Sequence, residues 1–358
     1  MRAGMIGPFS RRRMRLLRTT GLLSLLIGIA VLIGLTVWSG TGLVRDAVGS
    51  IGIGIVLVVL VRAGTASLAA VGWWVLFPPK ERPRLTTCLS LRFVREGANA
   101  LLPLGQVGGD LLGARLLTFV GVPGALATAS VIVDVLALAV TQALFAMTGL
   151  AVLVWLGADS SIAWIAAGGL ALALPALVGF WIAQRRGGHQ AFGWFLARFR
   201  GNWARVVGEK IDRLFVDLRA LHASRSRMGA SLVLHYLDWL TGIGEVLVAF
   251  WFMGHPVSLA EALVIESLMH AIRGAAFAIP GALGAQEGGL IVLCAVFGIP
   301  PDQAMALSLV KRVADLATGL PGLFIWQWME GRRWRARRSA AAAGEPASPG
   351  PASHTPAT

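Results

Sequence analysis

Pro103-Leu-Gly-Gln-Val-Gly-Gly-Asp110 and Pro280-Gly-Ala-Leu-Gly-Ala-Gln-Glu287 stand 177 residues apart, and each interrupts apolar sequence with a proline, glycines and a closing acid. Proline and acid are seven residues apart in both copies. The register continues beyond them, because Val120-Gly121-Val122-Pro123 falls opposite Phe297-Gly298-Ile299-Pro300 at the same offset. Proline removes a backbone donor and clashes with the preceding helical turn, while glycine admits a tight reversal. Each copy therefore reads as a helix broken at a Gly-rich turn that ends on a carboxylate. Paired breaks at corresponding places in two halves of a membrane protein point to a transport site.

The rest of the chain supplies the membrane. It is 56% hydrophobic and only 14% charged, with a mean hydropathy of +0.71, far more apolar than a soluble domain of this size. Residues 16–38, 47–77, 125–156, 162–183, 229–253 and 302–329 are apolar stretches long enough to span a bilayer, which takes about 20 residues. The second and third exceed thirty residues, so they are expected to tilt, kink or protrude. The two breaks fall in the intervening segments 85–120 and 258–297. The expected fold is an all-α, polytopic transmembrane helix bundle of about six full spans plus two broken or re-entrant helical hairpins, arranged as an inverted-topology repeat.

Charge placement sets the orientation. The net charge is +14. Arg11, Arg12, Arg13, Arg15 and Arg18 cluster at the first span, Lys80, Arg82 and Arg84 follow the second, ten Lys/Arg lie between Arg185 and Arg227, and Arg332, Arg333, Arg335, Arg337 and Arg338 follow the last. The opposite loops are nearly bare, with Arg45 alone in 39–46 and no Lys or Arg in 157–160, 254–257 or 298–301. By the positive-inside rule both termini are cytoplasmic and the protein is a multi-pass component of a bacterial inner (plasma) membrane. The first broken hairpin then enters from the cytoplasmic face and the second from the opposite one. Two full crossings per segment would keep the same parity. The basic residues flank spans instead of forming one domain face, so they suit anionic headgroups and argue against nucleic acid as a partner.

Residues 1–15 read as a basic cytoplasmic N-terminus and 16–338 as one transmembrane domain. Its repeat units lie at about 47–156 and 224–333, joined through a cytoplasmic linker at 184–228. Apolar residues among the many arginines of 194–221 suggest an amphipathic helix, either lying on the inner leaflet or packed on the bundle. The N-terminal apolar run is too long for a signal peptide and reads as an uncleaved first span. Residues 339–358, rich in Ala, Pro, Gly and Ser, read as a disordered tail. Cys88 and Cys294 both lie in apolar segments, so a disulfide framework is not implied.

Ionisable residues within spans are costly and are functional candidates by default. The first copy contains Arg92, Arg95, Glu96, Asp110, Arg115 and Asp134; the second contains Glu261, Glu266, His270, Arg273, Glu287, Lys311, Arg312 and Asp315. At the 177 offset Glu96 meets Arg273, Asp110 meets Glu287, and Asp134 meets Lys311. Two of these pairs swap sign, so equivalent charges are expected to neutralise one another across a central cavity. Local pairing on one helix face is the competing reading for Arg92 with Glu96 and for Lys311 with Asp315. For Asp110 and Glu287 it is capping of the helix that follows each break. Asp238 and Glu245, seven apart with His235 nearby, read either as a proton relay or as a buried hydrogen-bonded cluster. Broken backbone at membrane depth is tolerated only in protein or beside water, so the breaks predict a cavity.

Arg95-Glu-Gly-Ala-Asn-Ala-Leu-Leu-Pro-Leu-Gly-Gln-Val-Gly-Gly-Asp110, Ile279-Pro-Gly-Ala-Leu-Gly-Ala-Gln-Glu-Gly288 and Ser308-Leu-Val-Lys-Arg312 resemble the signatures of the lysylphosphatidylglycerol-synthase transmembrane-region family, flippase-like integral membrane proteins. The resemblance covers roughly residues 20–330 and is nearest to the short forms associated with hopanoid biosynthesis. It implies lipid translocation or lipid-linked export and carries over Asn99, Pro103, Asp110, Pro280, Gln286, Glu287 and Arg312 as motif positions. It also implies that the soluble aminoacyl-transferase domain of the full-length synthases is missing.

No HExxH, CxxC, GxSxG or Walker motif occurs in the chain, and no catalytic residue, metal or cofactor is expected. The substrate-binding candidates are Arg92, Glu96, Asn99, Pro103, Asp110, Arg115, Asp134, Arg273, Pro280, Gln286, Glu287, Lys311 and Arg312. A lipid translocase working on a polar or anionic headgroup, hopanoid-related lipids included, is the leading expectation. A non-transporting subunit that scaffolds envelope-biosynthesis enzymes is the alternative, and a membrane-embedded transferase lacks a recognisable nucleophile.

Overall fold

The computed structural model describes residues 49, 51–101, 108–157, 160–184, 202–276, 279, 282 and 284–342. Among these, all regular structure is helical. The helices are α1 (Gly54–Leu76), α2 (Leu85–Leu101), α3 (Gly108–Leu117, with a 3-10 turn at Thr118–Val120), α4 (Gly124–Trp155), α5 (Ser160–Ile182), α6 (Asn202–Ala223), α7 (Arg225–Phe252), α8 (Leu259–Ala275), α9 (Ala285–Ala295) and α10 (Pro301–Ala342). The expected first span, Pro103, Pro280, most of both Gly-rich turns, the basic stretch 185–201 and the tail beyond 342 lie outside the described residues.

Among the described residues, three helices are long and apolar enough by themselves to cross a membrane: α1, α4 and α7. Their outward faces carry large apolar side chains such as Leu60 and Val233, an inversion of soluble-protein surfaces that marks contact with lipid. Exposed Trp155 and Trp251 end α4 and α7, and exposed Trp164 lies in the first turns of α5. Amphipathic indoles favour the membrane–water interface. α10 continues thirteen residues past the expected end of its span. Its Arg- and Ala-rich sequence is a strong helix former, and Arg332 and Arg338 lie over the rings of Trp328 and Trp334 at 4.8 and 4.3 Å.

The 177-residue offset recurs in the helices themselves. Gly108 starts α3 and Ala285 starts α9; Gly124 starts α4 and Pro301 starts α10. Helix neighbours also exchange under the same shift. α1 packs on its own counterpart α7, α2 packs on α10 as α8 packs on α4, and α3 lies on α4 as α9 lies on α10. At the end of each short helix a glycine takes the left-handed conformation, Gly121 at φ +92° and Gly298 at φ +69°, and a proline two residues later opens the next helix. α3 and α9 contain 10 and 11 residues, so each rises only about 15 Å. The apolar core of a bilayer is about 30 Å thick. Neither can cross alone, which favours the re-entrant form of the hairpins over two full crossings.

Two main cores form, and both halves contribute to each. Trp73, Phe77, Leu116, Leu117 and Leu126, with Ile325 and Met329 packed against them, anchor one, and Phe145, Phe250, Ile265 and Leu290 anchor the other. The basic loop after α1 caps it: Arg82 donates to the carbonyls of Val75 and Phe77, and Arg227 donates to that of Leu76, where the helix dipole favours cations. α6 turns Leu218 and Leu221 into the first core beside partly buried Leu214 and Phe215. The described part of the linker is thus packed on the bundle. Both cysteines are free and buried.

α2 and α10 approach closely through Gly97, Gly319 and Gly322. A Cβ on Gly97 would overlap the Gly319 carbonyl oxygen, and one on Gly322 would overlap the Phe93 carbonyl. Small residues at a crossing let membrane helices pack backbone to backbone. Gly97→Ala and Gly322→Ala are expected to destabilise the protein by about 1–3 kcal/mol each through overpacking. Gly64→Ala, with open space around it, should have no such effect. Thermal unfolding in detergent, followed by the monodisperse fraction, checks this.

Candidate functional site

Two ion-pair networks fill the middle of the bundle, each built on one of the sign-swapped positions. In the first, the fully buried Asp134 of α4 accepts a hydrogen bond from Arg95 Nη1 at 2.7 Å and lies 3.0 Å from His235 Nε2 and 3.6 Å from Arg92 Nη1. Gly72 on α1 leaves the room that the His235 ring occupies, since a Cβ there would come within 3.0 Å of it. Arg95 also donates to Asp110 Oδ1, through Nε at 2.8 Å and Nη2 at 2.7 Å, and its guanidinium lies 4.7 Å from the Trp73 ring centroid. Arg92 pairs one turn on with Glu96 at 2.6 Å.

The second network centres on Lys311 of α10. Its ammonium donates to Glu245 Oε2 at 2.8 Å and to Glu266 at 2.9 Å, and all three side chains are at most 2% exposed. Glu245 also accepts from Arg62 Nη2 at 2.9 Å, and Arg62 reaches Asp315 at 3.3 Å. Asp315 receives Arg273 at 3.5 Å, and Glu266 Oε1 lies 3.0 Å from His270 Nε2. Desolvating each ion costs several kcal/mol. Pairing offsets that cost here, with the three acids Glu245, Glu266 and Asp315 facing the three cations Arg62, Arg273 and Lys311.

A cavity of about 220 Å³ opens between the networks. α1 lends it Arg62, α2 lends Arg92, Glu96 and Asn99, and α4 lends Gln142. α7 contributes Asp238 and Trp239, α8 contributes His270 and Arg273, and α10 contributes Asp315. Both halves therefore line it. Gln142 donates to the His270 carbonyl at 2.7 Å and Trp239 Nε1 donates to Thr141 Oγ1 at 3.0 Å, tying α4 to α7 and α8 around its wall. Asn99 accepts from the Gly109 N–H at 2.7 Å, so this cavity residue also caps α3.

The candidate residues separate into four places. Arg92, Glu96, Asn99 and Arg273 line the cavity. Asp134 and Lys311 stand behind its wall as the buried centres of the networks. Gln286, Glu287 and Arg312 form a third cluster outside it: Arg312 ion-pairs with Glu287, Ser308 Oγ donates to Glu287 at 3.3 Å, and Gln286 Nε2 donates to Ser308 Oγ at 2.9 Å. Glu287 also accepts the Gly284 N–H at 2.8 Å, as a cap for α9. Arg115 is remote, paired with Glu330 at 2.8 Å beside a second groove of about 670 Å³ lined by Thr86, Ser90, Phe119, Trp328 and Arg332. Asp110 and Glu287, equivalent at the 177 offset, are held by different cations, and neither lines the cavity.

The expected neutralisation between equivalent positions is corrected as well. Glu96 pairs within its own helix with Arg92, and Arg273 pairs with Asp315 on α10, while Asp134 and Lys311 each draw partners from α7 and from the adjacent α2 or α8. Among the described residues no ion pair joins symmetry mates. Glu261, one of the charged residues of the second copy, forms a capping box with Ser258 at the exposed start of α8. Reasoning centred on the interrupted segments passes over Arg62, although a lone arginine in the run Val58-Val-Leu-Val-Arg62 carries the same signal as the others. Among the described residues no group of His, Cys, Asp and Glu converges on a metal-sized site.

Exchanging Glu96→Arg with Arg273→Glu should therefore not rescue either single reversal, because the double variant sets arginine beside Arg92 and glutamate beside Asp315. Lys311→Met strands two buried carboxylates and is expected to cost about 3–5 kcal/mol, whereas Glu96→Gln, at a side chain 43% exposed, should cost about 1 kcal/mol or less. Melting temperatures of the five variants in detergent decide both statements.

Comparison with known proteins agrees with this architecture. The sequence pattern described as Lysylphosphatidylglycerol synthase TM region matches residues 25–322. Two stretches are similar to curated proteins named UPF0104 membrane protein from Methanothermobacter thermautotrophicus strain Delta H. One is 27% identical over 165 residues, covering 42% of this chain and 48% of the relative; the other is 27% identical over 105 residues, covering 29% and 31%. The chain thus spans half or less of the curated relatives it matches. No solved structure matches it at a significant level. With the family pattern running through both networks and every cavity-lining helix, the chain is an integral membrane protein of the lysylphosphatidylglycerol synthase transmembrane-region family.

Proposed function

We propose that this protein is a lipid translocase in which the central cavity holds a polar or anionic headgroup while the acyl or polycyclic tail stays in the surrounding lipid. The observation that carries the reading is a cavity lined by three guanidinium groups, Arg62, Arg92 and Arg273, inside an apolar bundle and between two equivalent halves. A guanidinium is the preferred partner of phosphate and carboxylate groups. At about 220 Å³ the cavity is smaller than the roughly 300–1,000 Å³ of drug-sized sites, which suits a headgroup and excludes a whole lipid. Rocking of one half against the other across the α1–α7 contact would alternate access, as in other inverted-repeat transporters. Basic ends of the helices would rest on anionic lipid at the inner leaflet of a bacterial plasma membrane, with both termini inside.

Reconstitution into liposomes with fluorescent phospholipids, and with hopanoid-type lipids as a separate class, tests this. Transfer between leaflets should exceed that of protein-free vesicles. It should fall about tenfold in Arg92→Gln or Arg273→Gln, as expected for losing a hydrogen bond between charged groups. Absence of transfer with every lipid class would overturn the reading in favour of a scaffolding subunit for envelope-biosynthesis enzymes.

A further inference from the structure

Asp238 is the exception to the pairing rule. Every other carboxylate of the two networks has an arginine or lysine partner, yet Asp238 has neither a hydrogen bond nor an ion pair among the described residues. It faces the cavity and is only 7% exposed. Two turns further along the same face of α7, Glu245 takes two cations, Arg62 and Lys311. The sequence alone left these two acids as a relay or a cluster. The structure separates them: Glu245 belongs to the cluster, and Asp238 does not.

Arg62, Arg92, Glu96 and Glu245 line the same cavity as Asp238, two cations and two anions. Both cations are paired elsewhere, Arg62 with Glu245 and Asp315 and Arg92 with Glu96 and Asp134, and each keeps a buried Nε–H with no partner among the described residues. No charged group on the remaining helices against α7 bonds Asp238. Asp134 holds His235 Nε2 at the α4 side, while the buried His235 Nδ1 has no partner among the described residues; Glu266 holds His270 on α8, and Lys311 on α10 is held between two glutamates. α6 adjoins α7 through the turn at Ser224, about four helical turns from Asp238. An ionised carboxylate in such a place costs several kcal/mol, a cost that binding one proton removes.

We propose that Asp238 is a proton-binding site of the cavity, filled in this conformation and emptied when Arg92 turns to it. Protonation joins one H⁺ from cavity water to a carboxylate oxygen, and release returns it to water. Arg92 is the more loosely held of the two cations. Its partner Glu96 is 43% exposed, and its 3.6 Å contact with Asp134 duplicates a tighter one from Arg95. On the translocase reading, an anionic headgroup that holds Arg92 keeps it away from Asp238, so headgroup and proton load together and leave together. The cargo crosses with its charge offset.

Infrared spectroscopy of the whole protein in lipid nanodiscs reads the proton directly. At neutral pH a protonated carboxylic C=O band is expected, with a deuterium shift, and Asp238→Asn should abolish it. Asn matches the neutral acid in shape and should leave the melting temperature unchanged. Should that variant fail to fold, Arg92→Gln provides the second measurement, because removing the competing cation should hold the band to higher pH than in the unmodified protein. No such band at neutral pH, its persistence in folded Asp238→Asn, or its loss on adding sodium at fixed pH would each overturn the proposal, the last in favour of a metal-cation site. In liposomes, an imposed pH gradient should drive net movement of an anionic lipid, and Asp238→Asn should lose that response. Lipid movement indifferent to the gradient overturns the coupling. No lipid movement at all overturns the translocase reading and leaves the infrared result to decide the proton site.

Discussion

Lys311 donates to Glu245 and Glu266 where almost no water reaches, and around that contact four helices are fixed. α10 brings the ammonium, α7 and α8 bring the carboxylates, and Arg62 on α1 gives Glu245 Oε2 a second cation. None of these charges is tolerable alone in an apolar bundle. Their mutual neutralisation therefore constrains helix positions as tightly as shape packing does, and it leaves a polar hollow where the helices do not close. Asp134 plays the same part in the other half with the signs reversed, drawing Arg95 from α2 and His235 from α7.

The two halves share a backbone plan more closely than they share chemistry. Helix starts and neighbours repeat at one offset, while the partners of equivalent acids come from different places. Asp110 takes Arg95, which precedes the break, and Glu287 takes Arg312, which follows it. A repeat constrains where a carboxylate can stand. Which cation answers it depends on the local sequence of each copy.

The fold was largely legible in the chain, since apolar length, proline–glycine punctuation and basic loops are one-dimensional signals. Gly121 and Gly298 mark turns that the structure places at positive φ, and the paired acids mark the short helices that follow the breaks. The extension of α10 was missed because a span was read to end where hydropathy ends, though helix propensity continues through its arginines. The site was less legible. Pairing at the repeat offset assumed that equivalent residues meet, whereas side chains a few ångströms long reach the nearest opposite charge on an adjoining helix. Arg62 escaped notice because it sits in an otherwise regular span, and the contrast between Asp238 and Glu245 depends on which neighbouring helix carries a cation at each level.

The account stands or falls on whether water and headgroups reach the cavity from both sides in turn. Asn99 lines it, and the two native cysteines are buried, so Asn99→Cys offers a nearly silent background for a membrane-impermeant maleimide. Labelling in right-side-out and in inside-out vesicles, slowed in both by a soluble phosphate-bearing headgroup analogue, is the expected result. Labelling from neither side, or from one side only under every condition, would contradict it.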